Sequence, residues 1–171
     1  MKGYVQVYTG DGKGKTTAAL GLALRAVGAG LNVFIGQFAK GMEYSEIKAI
    51  RERLPELTIR QYGRDCFIVN KPTDDDIAIA RRGLTEVRDV IQSGKYDVII
   101  LDEANIAIHF GLFSIDDLLK IIALKPANLE LIITGRKAHP DLVKAADLVT
   151  KMLEIKHYYQ QGVQARQGIE S

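Results

Sequence analysis

From Thr9 to Thr17 the chain reads Thr-Gly-Asp-Gly-Lys-Gly-Lys-Thr-Thr. Glycines at Gly10, Gly12 and Gly14 let the backbone turn tightly enough for successive N–H groups to converge. Lys13 and Lys15 add positive charge, and Thr16 follows with a hydroxyl of the kind that binds magnesium beside a phosphate. A strand before this run and a helix after it make an anion trap, because the free N–H groups and the helix dipole act on the same point. In the phosphate-loop frame G-x-x-x-x-G-K-[ST], the closing places are Gly14, Lys15 and Thr16. The first glycine of that frame falls on Thr9, so Gly10 and Gly12 supply the turn instead, with Asp11 between them and Thr17 as a second hydroxyl. A plain Gly/Lys-rich surface turn is the competing reading, and it leaves the strand–loop–helix order unexplained.

A second run carries complementary chemistry. Val98-Ile99-Ile100-Leu101 is wholly apolar and ends in Asp102-Glu103. In phosphate-loop proteins such a strand lies beside the first and holds magnesium or its water shell. Read alone, the two carboxylates simply mark a strand end and cap the residues from Asn105 onwards. Thr134-Gly135-Arg136 with His139 ends another apolar run, and ligands of open α/β sheets bind at the carboxyl ends of strands. Arg136 and His139 are therefore within reach of the site, or else mark a surface turn. Arg25 lies farther along the first helix, either folding back to the nucleotide or solvated. Cys66 is the single cysteine, which excludes an intrachain disulfide and a cysteine-based zinc cluster. His109, His139 and His157 lack metal-ligand spacing.

The elements that must position these residues alternate. Short β-branched runs at Tyr4–Thr9, 31–38, 58–62, 98–101 and 129–134 read as strands. Between them come helical patterns: 16–27, 44–54, a helix capped by Thr73 and opening on Asp74-Asp75-Asp76, one capped by Ser114, and a short one from Pro140. Residues 148–156 suggest a last strand, and 63–73 a long loop. Strands separated by helices pair in parallel through right-handed crossovers. The expectation is one doubly wound α/β domain over 1–171, with a mostly parallel sheet and helices on both faces.

The 171 residues are 47% apolar and 26% charged with a net charge of +2, which implies no polyanion field and no nucleic-acid partner. No apolar run approaches the ~20 residues that span a bilayer. No membrane partner and a cytoplasmic home are expected, and the strand starting near Tyr4 leaves no room for a signal peptide. Together the loop and the carboxylates imply an ATP- and magnesium-dependent protein. They leave open a small-molecule kinase, group transfer elsewhere on the nucleotide, and an ATP-switched binding module.

Particular residues narrow the choice. The run Tyr8 to Ala19 resembles the loop of the P-loop corrinoid adenosyltransferases, ATP:cob(I)alamin adenosyltransferases. Further stretches are similar in order along the chain: Arg25-Ala26-Val27-Gly28, Gln37-Phe38-Ala39-Lys40-Gly41, Leu101-Asp102-Glu103, Ile133-Thr134-Gly135-Arg136 with His139, and Ala146 to Val149. In the tail, Lys156-His157, Gly162-Val163, Ala165 and Gly168-Ile169-Glu170 match as well. The resemblance implies a P-loop NTPase fold of the RecA-like type. It implies transfer of the 5′-deoxyadenosyl group of ATP to the cobalt of a reduced corrinoid, releasing triphosphate, in cobalamin biosynthesis or salvage. Gly10, Asp11, Gly12, Lys13, Gly14, Lys15, Thr16 and Thr17 would then hold the nucleotide, with Lys15, Thr16 and Glu103 catalytic. Thr16, Glu103 and Asp102 would be the magnesium residues. Arg25 would face the nucleoside, since the family binds the nucleotide in reverse of the usual orientation, and Arg136 would approach the same site. Family members present a Phe and a Trp to the corrin ring after the third strand. This chain has no tryptophan, and Phe67 is the best substitute. Members often carry an extension before the first strand that helps to cover the site; here three residues precede Tyr4. A homodimer and an electron-donating reductase partner are expected from the same resemblance.

Overall fold

The computed structural model describes residues 2–42, 44–64 and 71–170. Six strands, β1 (Val5–Thr9), β2 (Val33–Phe38), β3 (Leu57–Tyr62), β4 (Val98–Asp102), β5 (Glu130–Thr134) and β6 (Leu148–Lys151), form one sheet in the order β3-β2-β4-β5-β1-β6. Every neighbouring pair is parallel. β2 and β4 are buried along their whole lengths, which is why they are apolar on both faces, with Gln37 and Asp102 as their buried polar residues.

Helices cover both faces. α1 (Lys15–Gly28) and α2 (Ser45–Arg53) pack with Ile35, Ile59, Ile100 and Ile132 on one side. On the other, α3 (Asp74–Ser93), α4 (Ala104–His109), α5 (Ile115–Ala123) and α6 (Pro140–Ala145) close over Phe34, Phe38, Leu101 and Ile133. The two expected caps are present as reciprocal boxes, Thr73 with Asp76 and Ser114 with Asp117.

Three expectations need correction. The carboxylate strand β4 does not lie beside β1: β5 stands between them, pairing with β1 on one edge and β4 on the other. The carboxylates therefore face the phosphate loop across one intervening strand. The predicted strand at 148–156 stops at Lys151, where its exposed residues run into an extended tail with a 3₁₀ turn at Tyr158–Gln161. α4 was not among the expected elements, because six residues are too few for helical periodicity to declare itself.

Candidate active site

The phosphate loop leaves β1 at Thr9 and enters α1 at Lys15. Gly10 (φ 96°) and Gly14 (φ 115°) hold conformations that side chains resist. A Cβ on Gly10 would lie 2.3 Å from the Met152 carbonyl, so the loop packs directly on the tail's backbone. Gly12 N–H donates to that same carbonyl at 2.9 Å. Lys15 is buried, and its Nζ donates to Gly12 O at 2.7 Å, curling the side chain over the loop. Burial, with Arg136 nearby, pushes the Lys15 ammonium below its ordinary value. An anion that arrives here relieves that cost.

Thr16 joins the loop to the carboxylates. Its hydroxyl donates to Asp102 Oδ1 at 2.8 Å, which leaves its oxygen lone pairs free for a cation. Asp102 is fully buried and fully engaged. Oδ1 also accepts from Thr134 at 2.6 Å, and Oδ2 accepts from Gln37 at 2.9 Å with Lys40 at 3.5 Å. Gln61 in turn donates to Gln37 at 3.0 Å, so β3, β2, β4 and β5 all contribute to fixing one carboxylate. Burial works to raise the Asp102 pKa, but Lys40 and the hydrogen bonds from Thr134, Gln37 and Thr16 outweigh it and hold it below the carboxylate norm.

Glu103 is the opposite case. It sits in the left-handed region (φ 57°), which turns its side chain out of the sheet line, and it borders the open cleft where Asp102 does not. Burial and the Asp102 charge raise its pKa against the pull of Lys40 and Lys15. The pKa values of two adjacent carboxylates are thus pushed in opposite directions, Asp102 down and Glu103 up.

The cleft has a volume of about 610 Å³ and lies at the carboxyl ends of the strands. The loop residues Asp11 to Thr17 and Glu103 border it, and so does Arg136. The structure brings these sequence candidates together. Gly10 lies beneath the loop rather than on the cleft wall. It does not bring in Arg25, which is exposed in the last turn of α1, ten residues and ~15 Å of helix rise beyond Lys15. His139 is also absent from the cleft wall; its Nδ1 caps α6 by accepting from Asp141 N–H at 3.2 Å. Phe67, like Cys66, lies outside the described residues.

Sequence reasoning missed two contributions. Lys40, on the loop after β2, was seen only as part of the Gln37–Gly41 run, yet its Nζ approaches both Asp102 (3.5 Å) and Glu103 (3.7 Å). The tail also returns to the loop. Lys13 Nζ meets Glu170 Oε1 at 2.7 Å, the Ile169 carbonyl at 3.0 Å and the Tyr158 hydroxyl at 3.1 Å. Arg166 and Tyr158 both bond Glu170, and His157 and Ile169 complete the cleft wall. The hydrogen bonds from Arg166, Lys13 and Tyr158 hold the Glu170 carboxyl far below its usual value.

A parallel α/β sheet with a phosphate loop after β1 and a carboxylate pair ending β4 defines a nucleotide-binding protein of the P-loop class. Among the described residues no helix is long and apolar enough to cross a membrane. The whole chain, residues 1–171, matches the ATP:corrinoid adenosyltransferase BtuR/CobO/CobP family, and it belongs to that family. It is 33% identical over 170 residues to the corrinoid adenosyltransferase of Pseudomonas aeruginosa, covering 99% of this chain and 84% of that protein. It is 33% identical over 179 residues to the corrinoid adenosyltransferase of Sinorhizobium sp, at 99% and 80% coverage. With the corrinoid adenosyltransferase CobA of Salmonella typhimurium, identity is 32% over 172 residues, at 99% and 86% coverage. ATP and a corrinoid are the substrates that the family implies.

Proposed function

We propose that this enzyme moves the 5′-deoxyadenosyl group of ATP to the cobalt of a reduced corrinoid and releases triphosphate, with the loop and the β4 carboxylates as its leaving-group site. A cobalt–carbon bond forms at C5′ as the C5′–oxygen bond breaks, and that bond's electron pair leaves on the triphosphate. The nucleophile comes with the corrinoid, so the protein's work is alignment and charge stabilisation. The observation that carries this reading is the meeting on one cleft wall of a buried, poorly solvated Lys15 with Thr16, whose hydroxyl bonds Asp102.

Magnesium fits the donor set. Thr16 and Glu103 offer hard oxygen ligands, and Asp102 orients Thr16 at 2.8 Å. When bound, the metal would neutralise charge on the departing triphosphate. Lys15 and the loop N–H groups would add to that neutralisation, and Arg136, which also lines the cleft, would join them. A homodimer, a reductase that supplies the reduced corrinoid, and a cytoplasmic setting belong to this same proposal.

The test is anaerobic incubation with ATP, magnesium and a chemically reduced corrinoid, followed by phosphate analysis. Triphosphate with a cobalt–carbon product is expected. ADP or monophosphate formed without corrinoid overturns the reading.

A further inference from the structure

Three residues other than glycine have positive φ among the described residues: Ala39 (55°), Glu103 (57°) and Lys137 (59°). All follow the carboxyl ends of strands, β2, β4 and β5. Such conformations cost free energy, on the order of 1 kcal/mol or more each, and persist where the surroundings enforce them. Glu103 belongs to the site already described. Ala39 has no side-chain role there, but it aims the next residue, Lys40.

The position of Lys40 is built in. A Cβ on Gly63 would lie 2.4 Å from Lys40 N, and one on Gly41 would lie 2.5 Å from Gly63 O, so the loops after β2 and β3 pack backbone against backbone. From this anchor the Lys40 side chain, 19% exposed, reaches between Asp102 and Glu103. The Tyr44 ring backs the ammonium at 5.5 Å. Both carboxylate distances exceed those of strong charge-assisted hydrogen bonds, about 2.7–2.9 Å, so the lysine is paired without being locked. Its stem carries four rotatable bonds on the wall of the cleft.

We propose that Lys40 is a resident cation for the Asp102–Glu103 pair, which yields this place when a divalent ion and nucleotide arrive and then turns to the triphosphate. The inference rests on the reading of Glu103 and Thr16 as metal residues. The reason for displacement is electrostatic. An ammonium and a divalent ion cannot share these carboxylates at contact distance without strong repulsion in a poorly hydrated site. The triphosphate, arriving with the metal, offers the displaced ammonium a new anion on the same cleft wall. Lys40 and Lys15, both on the cleft wall, then direct positive charge at the same leaving group. Before loading, the same lysine keeps two adjacent carboxylates from facing each other uncompensated, and it raises the threshold for binding a metal without nucleotide.

The experiment is Mn²⁺ binding followed by electron paramagnetic resonance, with no turnover involved. In nucleotide-free protein, Lys40→Met should bind Mn²⁺ about tenfold more tightly than wild type, because the competing charge is gone. Lys40→Gln should behave the same way, and Lys40→Arg should stay near wild type. Inorganic triphosphate with Mg²⁺ should bind Lys40→Met about tenfold more weakly, since one phosphate contact is lost. Equal Mn²⁺ affinity in wild type, Lys40→Met and Lys40→Gln overturns the proposal. The underlying metal assignment fails separately: with ATP bound, Mn²⁺ affinity indifferent to Glu103→Gln would place the ion elsewhere.

Discussion

Two lysine–carboxylate pairs flank the same cleft, and they differ in nearly everything but chemistry. Asp102 and Lys40 meet at the carboxyl end of the central strand β4, with Asp102 buried and held by Thr16, Thr134 and Gln37. Glu170 and Lys13 meet at the surface, where the tail crosses the phosphate loop. The inner pair is part of a network in which every member depends on the others. The outer pair is a clasp between two segments that are each held by other contacts. The difference shows which charges the fold needs and which the substrate can borrow.

Removing the inner carboxylate gives the largest effect. Asp102→Ala leaves Lys40 and three other donors without their acceptor, and loss of one partner from a buried pair costs ~3–5 kcal/mol. Urea unfolding should register that loss. If Lys40→Met in the same chain restores part of it, the two residues are coupled as described; simple additivity would break the comparison.

Lys15→Ala comes next and belongs to neither pair. Its ammonium donates to Gly12 O, a neutral carbonyl, so its charge is free for the substrate. Loss of a donor aimed at developing charge costs about 2.7–4 kcal/mol of transition-state stabilisation, or about 10²–10³ in kcat. Steady-state kinetics should find this with little change in urea midpoint. An effect confined to KM would mean that Lys15 binds the ground state and the transition state equally.

Glu103 sharpens the contrast through pH. Its raised pKa means that it takes up a proton at a higher pH than an exposed glutamate, while Asp102 stays charged. Metal-dependent nucleotide binding should therefore fall as pH drops through that raised value. Stability of the nucleotide-free protein runs the other way. The native state binds this proton more tightly than the unfolded chain, so rising pH through the raised value lowers stability. Glu103→Gln should then raise the melting temperature at pH 7–8, with the gain fading toward the ordinary glutamate value of about 4.3. A melting temperature that does not change at any pH would show that Glu103 carries no burial cost.

Much of this was legible in the sequence, for reasons that are local. The glycines and lysines of the loop, the apolar run before Asp102 and the boxes at Thr73 and Ser114 all act within a few residues of themselves. The β4–β5–β1 order was not legible, because both β4 and β5 are apolar runs of the same length and nothing in either names its neighbour. Lys40 was hidden for a similar reason: a lysine in a loop acquires meaning only when β2 is registered against β4, with Gln37 opposite Asp102. Arg25 lies a helix length from the loop, so its expected place at the nucleoside depends on how the nucleotide lies and not on the loop.

The smallest effect tests the outer clasp. Glu170→Gln keeps the size and hydrogen-bonding reach of the side chain and removes the charge that Lys13 and Arg166 share. Because the Lys13 end of the pair is exposed and the clasp lies on the tail rather than in the sheet, screening already weakens it, and the urea midpoint should move little. The tail should nonetheless loosen. Trypsin should cut after Lys156 or Arg166 faster in Glu170→Gln than in wild type, and 1 M salt, with a screening length of about 3 Å, should speed cleavage of wild type in the same way. The Asp102–Lys40 pair, whose carboxylate is buried, should respond less to that salt. Were Glu170→Gln to lower the urea midpoint as far as Asp102→Ala does, the tail would have to be counted as part of the folded core, and the two pairs would differ only in position. If instead the tail loosens alone, then Lys13 is freed from three tail acceptors whenever Glu170 lets go, and the loop gains a second ammonium for the triphosphate without any change in the sheet.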